Sequence, residues 1–166
     1  MENLVTYKNM DLYNRVIEQI EKTNNELRIA TANFKNFRVM KDEKHTISIS
    51  QLLNKIAESA KIKIITSTIY SSALKELTSL NIQYVVCPRN HMKLIIIDDV
   101  FAYIGSANMT GAGLGIRMEE SRNFEVGVTT RDIRIITELI DIFDSVFTGL
   151  YCKECKLKRR GKCDGI

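Results

Sequence analysis

The spacing of apolar residues alternates along this chain between the period of a helix and the period of a strand. Leu12, Val16, Ile17 and Ile20 form the first helical stripe, and Asp11 precedes it as a capping residue. Further helical patterns cover residues 50–60, 74–80 and 133–150, and strand patterns cover residues 27–32, 63–66, 82–86, 92–98, 100–104 and 124–129. Such alternation predicts an α/β protein, in which helices cover a central sheet.

The order of these segments predicts how the strands run. Helices separate the strands of the first half, which is typical of parallel neighbours, whereas the strands at 92–98 and 100–104 are close enough to form an antiparallel pair turning near Asp99. Ser50 is expected to cap the second helix, and the polar segment 33–46 is expected to lie outside the core. We therefore predict an α/β fold with a mixed, largely parallel sheet and helices on both faces.

Length and composition set further limits. At 166 residues, of which 45% are hydrophobic, the chain suits one compact domain with a substantial core. Its longest apolar runs are a few residues, as at 94–97, far short of the roughly 20 that span a bilayer. The first residues include Glu2, Asn3 and Lys8 and contain no apolar leader segment. We expect a cytoplasmic protein that does not contact a membrane.

The net positive charge is confined to the C-terminus. Residues 1–151 carry 18 basic and 18 acidic side chains, whereas residues 152–166 carry six basic and two acidic ones. Because the last helical pattern ends near Gly149, we divide the chain into a domain at 1–150 and a basic, cysteine-containing tail at 151–166. Two interpretations of the tail stay open: a patch that attracts nucleic acid, or a solvated terminus.

The middle of the chain contains reactive and polar residues at fixed intervals, in the form His-x-Lys-x(4)-Asp-x(6)-Gly-Ser-x-Asn. These residues are His91, Lys93, Asp98, Gly105, Ser106 and Asn108. Residues two apart in a strand share a face, so His91 and Lys93 should share one site, whereas Asp98 projects the other way and should have a structural hydrogen-bonding role. Gly105 is expected to allow a tight turn. That turn would bring Ser106 and Asn108 beside His91, where they can bind phosphate oxygens.

These residues and their spacing resemble the signature of the phospholipase D superfamily, known as the HKD motif. The downstream stretches Gly-Ala-Gly-Leu at 111–114 and Asn-Phe-Glu-Val-Gly-Val at 123–128 are also similar to those of small members. The resemblance covers residues 10–150 and implies a phospholipase D-like fold, with residues 1–150 as the catalytic domain. A single motif in a chain of this size resembles the small homodimeric endonucleases of the superfamily.

The sequence also bears on the mechanism. No cluster of Asp, Glu and His that would hold two Mg²⁺ ions surrounds the motif, so we expect no metal in catalysis. The resemblance implies that a neutral imidazole attacks phosphorus and that water later releases the phosphohistidine. A second histidine must protonate the leaving oxygen. The chain has two histidines, and His45 lies outside the motif, so we predict an obligate homodimer that brings two copies of His91 together.

The other motif residues have expected roles in that composite site. Lys93 and Asn108 of both subunits would stabilise negative charge on the phosphoryl oxygens. The resemblance assigns Glu125 to holding the imidazole in its productive tautomer. Because the two copies of His91 must differ by one proton, their coupled titration predicts a bell-shaped pH profile.

The tail contains Cys152, Cys155 and Cys163, and the first two have the spacing of paired thiolates on one metal. The three are candidate ligands of a structural zinc ion or an iron–sulfur cluster, and no cofactor is expected for catalysis. A fourth ligand could come from Asp164, His45, Cys87 or the partner chain. The alternatives are a disulfide or free thiols. Cys87 is otherwise interpreted as a small buried apolar side chain.

The sequence therefore favours a metal-independent phosphodiesterase, in the first place a nuclease that cleaves DNA or RNA. Two alternatives stay open: a non-catalytic nucleic-acid-binding module of a larger complex, and a phospholipase or phosphatidyl transferase. Lipid-directed superfamily members generally carry two motifs in a longer chain, whereas this chain carries one. The residues do not distinguish DNA from RNA.

Overall fold

A computed structural model describes residues 5–42, 44–116, 119–161 and 163 of the chain. Lys162 and Asp164, which the sequence places in the basic tail, lie outside the described residues. The strands are β1 (Val5–Lys8), β2 (Glu26–Phe34), β3 (Arg38–Met40), β4 (Thr46–Ser48), β5 (Lys61–Ile69), β6 (Ile82–Val86), β7 (Leu94–Ile97), β8 (Phe101–Gly105) and β9 (Val126–Thr130). The helices are α1 (Asn9–Glu21), α2 (Ile49–Ile56), α3 (Ser71–Glu76), α4 (Ile133–Phe147) and α5 (Lys156–Arg159), with a 3₁₀ turn at Glu119–Ser121.

The main sheet has seven strands in the order β1-β9-β8-β7-β2-β5-β6 in the described part of the chain. The pairs β2–β5 and β5–β6 are parallel and the other neighbours are antiparallel. Following these pairings across the sheet, β7 and β9 run in one direction and the remaining five strands in the other. The predicted mixed sheet is therefore confirmed, and its parallel pairs lie in the first half of the chain as predicted. β3 and β4 form a separate two-stranded antiparallel hairpin.

Two apolar layers cover the sheet, as the pattern of helices predicts. On one face, α1 and α2 pack against alternate residues of the central strands, including Ile29, Ile64 and Ile95. On the other face, α4 contributes Ile136 and Phe143 to a second cluster. Since successive strand residues point to opposite faces, β7 supplies Ile95 and Ile97 to the first layer and Leu94 and Ile96 to the second. β7, which directly follows the motif histidine and lysine, thus lies in the centre of the core.

The start of α2 differs from the prediction. Ser48 is the N-cap, with its hydroxyl accepting from the Gln51 N–H at 3.1 Å while the Gln51 side chain accepts from the Ser48 N–H at 2.9 Å. This reciprocal pair satisfies two N–H groups that have no partner within the helix. Ser50 lies inside the helix, fully buried, and its hydroxyl donates to Asn36 Oδ1 at 3.1 Å. The prediction that Ser50 caps α2 is therefore wrong, because the cap is Ser48, two residues earlier.

The polar segment 33–46 is also more buried than expected. Phe34, Phe37 and Val39 belong to the main core, although the segment as a whole is rich in polar and charged residues. In β3 the flanking Arg38 and Met40 are exposed and Val39 is buried, so the alternation of the strand buries one side chain between two exposed ones. The prediction that this segment lies outside the core is wrong for these residues.

The third helix is shorter than the spacing of leucines predicts. It ends at Glu76, and Leu80 is 98% exposed. The side chain of Asn54 explains the end of the helix, because it donates to the Glu76 carbonyl and accepts from the N–H of Thr78 at 3.1 Å. These contacts hold the chain in a turn where a helix would otherwise continue.

The antiparallel pair predicted near Asp99 is present as β7 and β8. Asp98 and Asp99 both have positive φ angles, 51° and 56°, and the Val100 N–H donates to the Ile97 carbonyl at 3.0 Å. Two consecutive left-handed residues match the right-handed twist of a hairpin, and Asp tolerates this conformation better than most residues. The acidic pair at 98–99 therefore forms the turn itself.

Candidate active site

His91 and Lys93 lie in an extended segment immediately before β7. The Lys93 Nζ is 3.1 Å from His91 Nδ1 and 3.4 Å from Nε2, and it donates to the His91 carbonyl at 3.1 Å. The imidazole is exposed and the lysine is half-buried. The structure therefore brings the two residues into one site, with an ammonium group beside an accessible imidazole.

Asn90 fixes this segment and was not identified from the sequence. Its side chain is buried, and its Nδ2 donates to the carbonyls of Thr31 at 2.8 Å and Ile65 at 3.3 Å. Its Oδ1 accepts from the Met92 N–H at 3.2 Å. Asn90 therefore attaches the segment to β2 and β5, and its bond to Met92 closes a turn around His91, which fixes the backbone that carries the imidazole.

Asn108 is attached to the same part of β2. Its Oδ1 accepts from the N–H groups of Ala32 at 3.1 Å and Asn33 at 3.3 Å, and from the Thr31 hydroxyl at 3.2 Å. Three donors around one atom identify it as the carbonyl oxygen of the amide. The bonds to Oδ1 fix the plane of the amide. Its Nδ2 donates to none of the described residues and so remains available to donate to a bound ligand. The Thr31 hydroxyl also accepts from the Met109 N–H at 3.0 Å, and its carbonyl accepts from Asn90, so one threonine contacts both sides of the site.

Ser106 and Glu125 form a second pair. The Ser106 hydroxyl donates to Glu125 Oε2, and the Asn123 side chain donates to Oε1 at 3.1 Å. Ser106 follows β8, where the Gly105 N–H donates to the Lys93 carbonyl at 3.1 Å. Ser106 therefore lies next to the segment that carries His91 and Lys93, as predicted. The contact of Glu125 with an imidazole stays a prediction.

Gly105 has a different role from the turn expected of it. It is the last residue of β8, and its φ is not positive. A Cβ there would lie 2.7 Å from the Val126 carbonyl oxygen and would overlap the Tyr103 side chain. Position 105 therefore requires glycine, because the Tyr103 side chain lies against its backbone. The Tyr103 phenol is buried there, and this burial raises its pKa to about 12.

Asp98 lies at the far end of β7 from Lys93. Its carboxylate accepts from three consecutive backbone N–H groups, those of Asn24 at 2.9 Å, Asn25 at 2.8 Å and Glu26 at 2.9 Å. These bonds join the β7–β8 turn to the start of β2. An acceptor at the strand end thus holds the turn against the neighbouring strand, which is the structural role that strand parity predicts.

The three tail cysteines lie near the site. Cys152, Cys155 and Cys163 line a cavity of about 280 Å³ together with the segment that carries Cys87 and His91. The backbone N–H groups of Lys158 and Leu157 lower the pKa of the Cys155 thiol. All four cysteines are free thiols. In the described part of the chain, no three His, Cys, Asp or Glu side chains are grouped closely enough to hold a metal ion.

His45 is placed elsewhere. It lies in the turn between β3 and β4, with its Nδ1 2.8 Å from Asp42 Oδ1, and it is exposed. The pKa of Asp42 is lowered, first by the Lys44 backbone N–H and then by the His45 side chain. Among the described contacts none joins His45 to His91, so each chain presents a single histidine in the motif site.

The site combines groups that suit a phosphate ester. Lys93 offers a positive charge, Asn108 an oriented amide donor and His91 an accessible imidazole, all at the ends of adjacent strands. Oriented donors of this kind stabilise an anion better than freely rotating ones, because their orientation is set before the anion arrives.

The sequence comparison establishes the family. A family model described as "Cardiolipin synthase, PLD-like domain" matches residues 16–147, a range that includes the whole motif and Glu125. The chain therefore belongs to this phospholipase D-like family, as its motif predicts. No curated protein sequence matches the chain.

Solved structures share the fold. NucT from Helicobacter pylori is 18% identical, with a TM-score of 0.63 and coverage of 86% of this chain and 95% of NucT. Nuc from Salmonella typhimurium, a phospholipase D family member, is 17% identical, with a TM-score of 0.63 and coverage of 86% and 92%. TrmBL2, an archaeal chromatin protein that binds DNA, is 14% identical, with a TM-score of 0.57 and coverage of 87% and 51%.

Family membership defines the class of chemistry. The phospholipase D-like fold and family indicate a phosphodiesterase-type enzyme. Among the described helices, none is long and apolar enough to cross a membrane. The cytoplasmic location stays a prediction, as does the division of the chain at residue 150.

Proposed function

We propose that the protein is a nuclease that cleaves DNA or RNA without a catalytic metal, in an active site formed by two copies of the chain. The observation that carries this proposal is the exposed His91 with Lys93 beside it, a pair that each chain presents once. A phosphodiester that binds between two such pairs meets one imidazole as nucleophile and the other as acid. The basic tail and the DNA-binding relative TrmBL2 support nucleic acid as the substrate.

The proposed reaction has two steps. The neutral imidazole of one His91 attacks phosphorus, a P–N bond forms, and the P–O bond to the leaving oxygen breaks as the second His91 donates its proton to that oxygen. Water then attacks phosphorus, losing a proton to the second His91, and the P–N bond breaks. The products are a phosphomonoester and an alcohol, and both histidines return to their starting states.

Neighbouring residues support this reaction in the proposed scheme. Lys93 and the Asn108 Nδ2 donate to the non-bridging phosphate oxygens, where negative charge accumulates. When the phosphate binds, the Ser106 hydroxyl turns its single proton from Glu125 to a phosphate oxygen. Glu125 orients an imidazole of the composite site.

An apolar surface beside the site supports dimerisation. Phe124 is 96% exposed, Val126 54% and Ile104 37%, and all three lie within two residues of Ser106 or Glu125. Single exposed apolar side chains are common, but a group of them next to polar catalytic residues marks a surface for contact with another protein. A second copy of the chain on this surface would bring its own motif to the site.

Cleavage of labelled oligonucleotides tests the nuclease proposal. His91→Ala removes both the nucleophile and the acid from the dimer, so we expect a loss of at least about 10⁴-fold in the cleavage rate. The matched control is His45→Ala, which should cleave like the unchanged protein. Cleavage should continue in EDTA, with protein-bound zinc measured in parallel so that loss of a structural ion is not mistaken for a catalytic requirement.

Other outcomes would reject this proposal. Binding of oligonucleotides by the unchanged protein without any cleavage would assign it to the non-catalytic binding modules. Release of headgroup from phospholipid vesicles, without cleavage of nucleic acid, would assign it to the lipid-directed enzymes. Cleavage that needs added Mg²⁺ would reject the mechanism.

Substitution of the apolar surface tests the dimer. Phe124→Asp places a charge on the expected interface, so the protein should become monomeric by light scattering and lose cleavage together with dimerisation. Leu80→Asp is the matched control, since Leu80 is equally exposed at 98% but lies beside the edge strand β6. A monomer with full activity would contradict the composite site.

A further inference from the structure

All four cysteines of the chain line one cavity. Cys152, Cys155 and Cys163 come from the tail, and Cys87 comes from the segment that precedes His91, yet all four line the cavity of about 280 Å³. Cys155 is buried, and the other three are partly buried. Cys87 is separated from the nearest tail cysteine by 65 positions in the sequence. Their convergence is therefore a product of the fold.

The backbone around the first pair suits metal binding. The Cys155 N–H donates to the Cys152 carbonyl at 3.2 Å, and the Arg159 N–H donates to the Cys155 carbonyl at 3.1 Å. The Cys-x(2)-Cys pair thus lies in a tight turn that leads directly into α5. Two cysteines on such a turn are the usual half of a tetrahedral zinc site.

The charges around the cavity also point to thiolates. Arg89 and Lys158 line the cavity, and none of its described lining residues is Asp or Glu. Both side chains are exposed cations that attract anions to the cavity, and four zinc-bound thiolates would supply a net charge of −2. Sulfur ligands without carboxylates select zinc over magnesium or calcium.

We propose that Cys87, Cys152, Cys155 and Cys163 bind one structural zinc ion, which attaches the C-terminal tail to the segment that carries His91. Cys87 completes the set because it lines the same cavity as the tail thiols, whereas His45 is bonded to Asp42 in the β3–β4 turn. Since no three potential ligands are grouped tightly in the described structure, zinc binding must draw the tail inward and release protons from the thiols.

Metal analysis of the full-length protein tests this proposal. We expect one zinc ion per chain by mass spectrometry, thiolate-to-metal absorption after replacement by Co²⁺, and four thiols protected from alkylation until a chelator removes the metal. Trypsin should cut the basic tail faster in the metal-free protein. A folded protein without zinc and with four reactive thiols, or one that contains equal iron and sulfide, would overturn the proposal.

Substitutions separate Cys87 from the other lining residues. Cys87→Ser should weaken zinc binding by more than about tenfold, because even changes outside the ligand shell cost about 10- to 100-fold. Tyr151→Phe is the matched control, since Tyr151 lines the cavity without a thiol, and it should bind zinc normally. Unchanged zinc affinity in Cys87→Ser would overturn the four-cysteine site.

The test is independent of the nuclease proposal. His91→Ala should keep one zinc ion per chain, although it is expected to be inactive. Zinc loss in His91→Ala, with Cys87→Ser still binding zinc, would show that the histidine and not Cys87 completes the site. A protein that never cleaves nucleic acid can still bind zinc as proposed, so either proposal can fail alone.

Discussion

The motif site and the C-terminal tail are held in place in different ways. Asn90 and Asn108 both bond to β2, more than 50 residues away in the sequence. The described backbone bonds of the tail, such as Cys155 N–H to Cys152 carbonyl, join residues close in sequence. The sheet therefore fixes the site, whereas the tail is a series of local turns whose attachment depends on the cavity at Cys87. Three predictions examine this difference.

The largest effect is expected at Thr31, whose hydroxyl holds the segment that carries Asn108. Thr31→Val keeps the shape of the side chain but removes the hydroxyl that bonds to Asn108 and accepts from Met109. Because small displacements of catalytic groups cost about 100-fold in rate, we expect kcat to fall by about 10- to 100-fold with little change in KM. Thr31→Ser should restore kcat.

A matched variant separates positioning from stability. Thr129→Val removes a buried threonine hydroxyl from β9, away from Asn108, and should leave kcat unchanged. The free energy of unfolding is measured for both variants in denaturant. If Thr31→Val changes only stability, or if Thr31→Ser fails to restore kcat, Thr31 does not position the site.

Thr31 and Asn90 are the part of the site that the sequence did not predict. The alternation of patterns predicted the sheet, and the spacing of His91 and Lys93 predicted their shared site, because both depend on residues close in sequence. Thr31 and Asn90 could not be identified in that way, since their roles depend on which strands lie beside β7. Ser48 was within reach: Gln51 stands three residues after it, which completes a capping box that Ser50 lacks.

The second prediction concerns Asp98, the motif residue at the end of β7 opposite Lys93. Asp98→Asn can keep the positive φ angle but replaces one acceptor oxygen with a donor facing a backbone N–H. We expect a loss of about 1–2 kcal/mol in the free energy of unfolding, as for a polar group left without its partner. Cleavage should be unaffected below the unfolding transition.

The matched control is Asp141→Asn, which changes an exposed carboxylate on α4 and should leave the free energy of unfolding unaltered. The two variants lose the same charge, so a difference between them measures the bonds to the start of β2. If Asp98→Asn lowers kcat while stability is unchanged, the carboxylate takes part in the reaction and the distinction between the two ends of β7 is wrong.

The smallest effect is expected in the tail, where exposed charges act without a fixed geometry. Lys156, Arg159 and Arg160 are exposed and do not line the cysteine cavity. Replacing all three with Gln should weaken nucleic-acid binding and reduce the slope of log K against log salt by up to about 2–3, because each phosphate contact contributes about 0.7–0.9. The cleavage rate at saturating substrate should stay the same, since these side chains do not reach the motif.

The control removes three exposed lysines from the α2–β6 side of the molecule, Lys55, Lys61 and Lys75, and so gives the same net charge. If both variants weaken binding equally, the total charge of the protein governs affinity for nucleic acid. The tail is then a solvated terminus whose only attachment is the one proposed at Cys87. If only the tail variant changes the salt slope, the local turns present a binding surface. The sheet then places the reacting groups, and the tail brings the substrate to them.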